Sequence, residues 1–185
     1  MRCYSNCDRV ELFLNGKSQG AQDMKPNSHL EWKVKWAPGA LTAKGWKGGK
    51  EVANAKVETT GAPSAIRLSP DRATIRADGA DCSLVTVAIL DDNGRLVPVA
   101  DNEVGFEVGP KSGRIIGVGN GDPSCHEPDK ATQRRAFNGL CMVIVQSTTE
   151  AGPIELTAKS RGLAPATVTI QAEPCALPAA VPSAP

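Results

Sequence analysis

The densest group of side chains able to do chemistry falls between residues 119 and 138. There Asp122, Glu127 and Asp129 stand close in sequence to Cys125 and His126. Carboxylates of this kind can bind a hard cation or accept hydrogen bonds from sugar hydroxyls. A carboxylate beside an imidazole is also the raw material of general acid–base catalysis. Lys130, Arg134 and Arg135 can instead neutralise the same carboxylates and fold the stretch onto itself. The run from Asn120 to Arg134 has no strand pattern, and a loop of that length in a compact domain is uncommon and often functional. Asn120, Asp122, His126, Glu127 and Arg135 are therefore the candidate residues. An ion-paired or domain-docking loop ranks ahead of ligand or metal contact, and both rank ahead of catalysis.

Other constellations are weaker. Gly117-Val118-Gly119-Asn120-Gly121 looks like a phosphate loop, but Asp122-Pro123 follows where a dinucleotide fold needs a helix. Asp91-Asp92-Asn93-Gly94 lacks the twelve-residue calcium pattern closing on a Glu and reads as a β-turn. His29 and His126 are the two histidines, and no Gly-x-Ser-x-Gly elbow occurs. No pair of opposed carboxylates is singled out, as glycoside cleavage requires. Trp32 and Trp36 fall in period-2 register with Leu30 and Val34, so both are expected in a core before any sugar platform. Trp46 is the better candidate for an exposed aromatic. The cysteines (3, 7, 82, 125, 141 and 175) form no C-x-x-C pair, and mostly free thiols are expected. No metal site or cofactor is assigned.

The elements that must position these groups are strands. The 185 residues include 18 Gly and 14 Pro, breaking up short apolar runs, and 41% of the chain is hydrophobic, enough for a core. The net charge of +1 carries no basic face for nucleic acid, and no apolar run approaches the roughly 20 residues that span a bilayer. No secretory signal is recognisable after Met1. Val10–Leu14 runs into Asn15-Gly16, a type I′ hairpin signal. Leu30–Trp36, Leu41–Trp46 and 51–59 read as further strands, with Lys47-Gly48-Gly49-Lys50 as a hairpin loop.

Thr60–Ser64 is a short linker at a charge shift. Residues 1–61 hold 10 basic and 6 acidic side chains, a balance of +4; residues 62–174 hold 11 and 14, a balance of −3. Beyond it, strands are expected at 65–68, 73–77, 83–90, 103–108, 114–118, 139–146, 154–159 and 167–171. That number of short strands is the signature of an immunoglobulin-like sandwich. The predicted fold class is all-β: two tandem immunoglobulin-like β-sandwich domains, the first (1–61) incomplete at its N-terminus and the second over 62–174. An extended, disordered Ala/Pro tail is expected over 175–185. Four or five strands are short of a full sandwich, and the first segment is expected to expose a sheet edge.

Long phrases carry a family resemblance. Tyr4 to Ser18, Leu30-Glu31-Trp32, Pro38-Gly39, Leu41-Thr42-Ala43 and Gly45-Trp46 resemble a segment downstream of the catalytic barrel in bacterial family 2 glycoside hydrolases, the β-galactosidase group. Leu68 to Arg72, Ile75 to Gly79, Asn120 to Pro123, His126-Glu127-Pro128 and Arg135 to Cys141 resemble the C-terminal domain of such enzymes. The resemblance covers about residues 4–171 in order, departing at Cys3, at Cys125 and in the Ala/Pro tail. It implies a retaining β-glycosidase parent whose two catalytic glutamates lie on a (β/α)₈ barrel. No position here matches a barrel motif, so no catalytic residue is carried over. The implied role is a non-catalytic C-terminal piece that supports the barrel of an enzyme hydrolysing terminal β-galactosides, with that catalytic domain as partner. Such enzymes are often exported. The alternatives are a carbohydrate-binding module, with carbohydrate as partner, and an adhesin-like immunoglobulin spacer. Neither nucleic acid nor membrane is expected as a partner.

Overall fold

The computed structural model describes residues 1–109 and 111–177. The chain divides into two compact units, Met1–Thr59 and the remainder from Thr60. All regular elements among the described residues are strands. The part of the expected tail from Pro178 onward lies outside the described residues.

The first unit contains β1 (Arg2–Cys3), β2 (Arg9–Leu14), β3 (Lys17–Asp23), β4 (Leu30–Glu31), β5 (Ala40–Lys47) and β6 (Lys50–Glu58). Four of them form an antiparallel sheet in the order β3-β2-β5-β6, while β1 pairs with β4. Asn15 and Gly16 take φ of 52° and 79°, the paired left-handed conformation of a type I′ turn, so β2 returns as β3. Strand alternation places Val10 and Leu12 on one face, where they bury against Cys7, Leu30 and Trp32. Gly45 lies opposite Val10, and a Cβ there would come within 2.5 Å of Cys7 Sγ. The Trp32 indole N–H donates to the Gly20 carbonyl at 3.0 Å, which allows the ring to be buried.

One tryptophan expectation needs correction. Trp36 is 77% exposed, not core. The ladder that would enforce alternation ends at Glu31, and residues 32–37 form no strand, so nothing fixes Trp36 to the buried face. Trp46, expected as the exposed ring, is only partly buried on the outer face of β5. Strand β6 has no buried residue, and its Val52 and Val57 are exposed.

The second unit is a two-sheet sandwich. Its strands are β7 (Ala65–Pro70), β8 (Thr74–Arg76), β9 (Cys82–Leu90), β10 (Glu103–Val108), β11 (Gly113–Gly119), β12 (Gln133–Arg135), β13 (Leu140–Ser147), β14 (Gly152–Lys159) and β15 (Ala166–Glu173). One sheet runs β12-β10-β14-β15-β8 and the other β11-β13-β9-β7. Alternate residues of β9 and β13 (Val85, Val87, Ile89, Val143, Val145) bury with Val104, Phe106, Ile154, Leu156 and Ile170 of the other sheet. The layers approach closely at Gly113, since a Cβ there would sit 2.6 Å from Ile154 Cγ2. Asn138 and Gly139, at φ 52° and 78°, make the tight turn by which the chain leaves β12 in one sheet and enters β13 in the other.

Strand β12 begins inside the stretch expected to be patternless up to Arg134 and ends one residue beyond it. Its sequence Gln-Arg-Arg has no apolar residue to alternate, yet Arg134 occupies the inward position, opposite Val104. The alternation is kept by a buried guanidinium where a hydrophobe would ordinarily sit.

Candidate functional site

The loop joining β11 to β12 is organised from that arginine outward. Arg134 is 2% exposed. Its Nη2 donates to the carbonyls of Val118 (3.0 Å) and Pro128 (3.2 Å) and to Asp129 Oδ1 (2.6 Å). Its Nη1 donates to Cys125 Sγ (3.1 Å) and the Glu127 carbonyl (3.3 Å). The Nε makes no hydrogen bond, although Glu127 Oε2 is 3.9 Å away. A buried charge is tolerable only when its hydrogen bonds are satisfied, and this one gathers the loop around itself to satisfy them. Burial pulls the Arg134 pKa down, but the bonds to Asp129 and Cys125 outweigh it and leave the group firmly protonated.

The remaining candidates close the same structure. Glu127 accepts from the Arg135 amide at 3.0 Å and pairs with Arg135 Nε at 3.7 Å. The Arg135 Nη1 donates to the Asp101 carbonyl at 3.2 Å. Asn120 Nδ2 donates to the Arg135 carbonyl at 2.8 Å, and its Oδ1 accepts from the Asp122 amide at 3.1 Å. Asp122 Oδ1 accepts from both the amide and the hydroxyl of Ser124 at 2.9 Å, and these bonds hold its carboxyl below the usual range. The Val118 amide donates to the Asp129 carbonyl at 2.8 Å, tying the far end back to β11. Asn120, Asp122, Glu127 and Arg135 are thus in one network, whereas His126 is exposed and bears on Asp122 through charge. Among the described residues no group of three or more His, Cys, Asp or Glu is placed to hold a metal. Cys141 lies beneath the loop; burial pushes its thiol up to about 12, against the pull of Arg134, so it stays a protonated core residue.

The Asp91 turn has the same economy. Asp91 accepts amide hydrogens from Gly61, Asn93 and Arg95, each at 2.9 Å, while Gly94 turns at φ 72°. It is a carboxylate used to build a turn.

Two surface hollows lie beside residues that the sequence singled out, Arg135 and Trp46. An open depression of about 680 Å³ beside Arg135 is lined by Asp101, Asn102, Glu103, Lys159 and Arg161 among others. A smaller hollow of about 280 Å³ on the first unit is lined by Asp8, Arg9, Glu11, Trp46 and Gly49. The legible signal for the second was the alternation of Arg9 and Glu11 with buried Val10 and Leu12.

Comparison with known proteins follows the same two-part division. Residues 66–169 match the glycoside hydrolase family 2 C-terminal domain 5, and residues 1–53 match a domain of unknown function, DUF4982. The β-galactosidase BoGH2A of Bacteroides ovatus is 46% identical over 94% of this chain and 20% of its own length. A β-galactosidase of Thermoanaerobacter pseudethanolicus is 33% identical over 87% of the chain and 22% of its own. The crystal structure of a family 2 glycosyl hydrolase from Bacteroides cellulosilyticus superposes with a TM-score of 0.89 at 38% identity, over 93% of this chain and 22% of that one. The chain therefore spans about a fifth of the length of these relatives. The matched family covers more than half of the residues, and the chain belongs to the C-terminal domains of glycoside hydrolase family 2.

Proposed function

We propose that the chain is a non-catalytic accessory region of a family 2 glycoside hydrolase acting on terminal β-galactosides, and that its immunoglobulin-like modules brace the catalytic barrel. The observation that carries this reading is the state of the loop around Arg134. Its acidic and basic groups hold one another and the backbone, so its rigidity is bought with the very side chains that chemistry would need. Glycoside cleavage uses two carboxyl groups about 5–9.5 Å apart across a sugar-binding cleft. Here Glu127 and Asp129 face the same guanidinium instead. The β-galactoside specificity of the parent is supported by the names of the two relatives above.

The test is direct. The purified chain, incubated with a chromogenic aryl β-galactoside, is expected to release no more chromophore than buffer does. Turnover that disappears on denaturing the chain would overturn the reading.

A further inference from the structure

The polar groups around Arg134 are spent on folding; those on the outer face of the first unit are not. Val10 and Leu12 of β2 point into the core, so Arg9 and Glu11 point the other way. Arg9 lies directly opposite Trp46 of β5, and Glu11 lies opposite Lys44. The Asp8 amide donates to the Trp46 carbonyl at 2.8 Å, which places the Asp8 side chain at the same end of the strand pair. Gly49, at φ 78°, turns the neighbouring hairpin and adds no side chain to the rim. The result is the 280 Å³ hollow with an indole on its wall.

The commitments of these groups are few. Asp8 accepts from the Gly48 amide through Oδ2 at 2.7 Å, leaving Oδ1 open. Glu11 accepts from the Ser18 hydroxyl through Oε1 at 2.5 Å, leaving Oε2 open. Among the described residues neither the Arg9 guanidinium nor the Trp46 indole N–H has a hydrogen-bond partner, in contrast to Trp32. Trp46 takes no part in the buried cluster of its unit. The buried cluster therefore does not account for a large ring at this place, flanked by the open guanidinium and two open carboxylate oxygens.

We propose that this hollow is a binding subsite for one neutral pyranose ring. An aromatic wall suits the C–H face of a pyranose, and free donors alternating with free acceptors suit hydroxyls, which do both. Among the lining residues two carboxylates stand against one guanidinium, and Lys44 opposite Glu11 is paired with Glu51 at 3.2 Å, so a local excess of negative charge selects against uronic and sulfated sugars. Its volume falls just below the range of roughly 300–1,000 Å³ for drug-sized ligands, in keeping with a single ring. The subsite goes beyond the accessory role and does not rest on it.

The experiment follows the three indole N–H resonances of the ¹⁵N-labelled full chain by NMR, assigned with single Trp→Phe variants. Methyl β-galactopyranoside, methyl β-glucopyranoside and glucuronate are titrated in separately through the millimolar range. The Trp46 resonance is expected to move saturably with a neutral glycoside while those of Trp32 and Trp36 stay in place. Glucuronate is expected to bind at least tenfold more weakly. Glu11→Gln is expected to weaken binding severalfold, while Trp36→Phe leaves it unchanged; in Trp46→Ala, which lacks the reporter ring, the backbone amide resonances of Asp8, Arg9 and Glu11 are expected to stay in place at every sugar concentration. No saturable shift at Trp46 with either neutral glycoside, a response confined to Trp36, or glucuronate bound as tightly as the neutral sugars would overturn the proposal.

Discussion

Replacing Arg134 by Met tests whether the long loop is held by a carbonyl cradle or by an ion pair. Methionine keeps much of the side-chain length and apolar packing but removes every donor. Five acceptors lose a partner: three carbonyls, the Asp129 carboxylate and Cys125 Sγ. The Asp129 side chain is 88% exposed, so its share is that of a surface pair, about 0–1 kcal/mol. The cost must then come from the carbonyls, above all that of buried Val118, since an acceptor left unsatisfied away from water costs about 1–3 kcal/mol. Together the orphaned acceptors and the small surface-pair share give about 3–5 kcal/mol for Arg134→Met. Asp129→Asn should cost about 0–1 kcal/mol. With a urea slope of about 2 kcal/mol/M, the Arg134 variant should unfold roughly 2 M earlier and the Asp129 variant almost where the parent does. All three tryptophans lie within residues 1–61, so far-UV circular dichroism, not indole fluorescence, must follow the unit that carries Arg134. Equal losses in the two variants would refute the reasoning, because they would place the energy in the exposed ion pair.

Two further outcomes follow from the core of the same unit. Gly113→Ala should destabilise by about 1–3 kcal/mol through overpacking against Ile154, read as a lower thermal midpoint, and Ile154→Val, which keeps the nearest carbon Cγ2, should recover little of that loss. The Cys141 thiol, raised from 9.0 to about 12 by burial, keeps its proton in the folded chain over a window where the unfolded chain releases it. The unfolded state therefore binds fewer protons between about pH 9 and 12, and stability contributed by the protonated thiol is intact below that window and lost as pH rises through it. Cys141→Ala should flatten this part of the alkaline loss in a comparison of urea midpoints at neutral and alkaline pH.

The strands were legible where apolar residues alternate over several positions. Glu103–Val108 reads the same from sequence and from structure, and Ser83–Leu90 differs by one residue, because Val85, Val87 and Ile89 mark a buried face. The return strand Lys17–Asp23 was implied only by the Asn15-Gly16 turn, since Lys-Ser-Gln-Gly-Ala-Gln-Asp presents no apolar face. Strand β12 was illegible for a sharper reason: its inward residue is charged, and a hydropathy pattern cannot tell Arg134 from an exposed arginine. Trp36 misled in the opposite direction. Its period-2 spacing was correct, but spacing marks a face only while a ladder holds the strand, and this ladder stops at Glu31.

Candidate residues drawn from the 119–138 stretch shared the same ambiguity, because carboxylates and guanidiniums next to one another in sequence suit both a site and a self-paired loop. Hydrogen-bond commitment separates the two. Around Arg134 most polar atoms already have intramolecular partners, and an incoming ligand would have to displace bonds that support the β12–β13 switch between sheets. Around Trp46 the guanidinium, the indole N–H and one oxygen of each carboxylate are open, so a ligand would displace only water. Charge density along the sequence therefore pointed to the loop that folds the second unit. Two ordinary-looking residues of β2, alternating with a core valine and leucine, mark the surface of the first unit where binding costs the fold nothing.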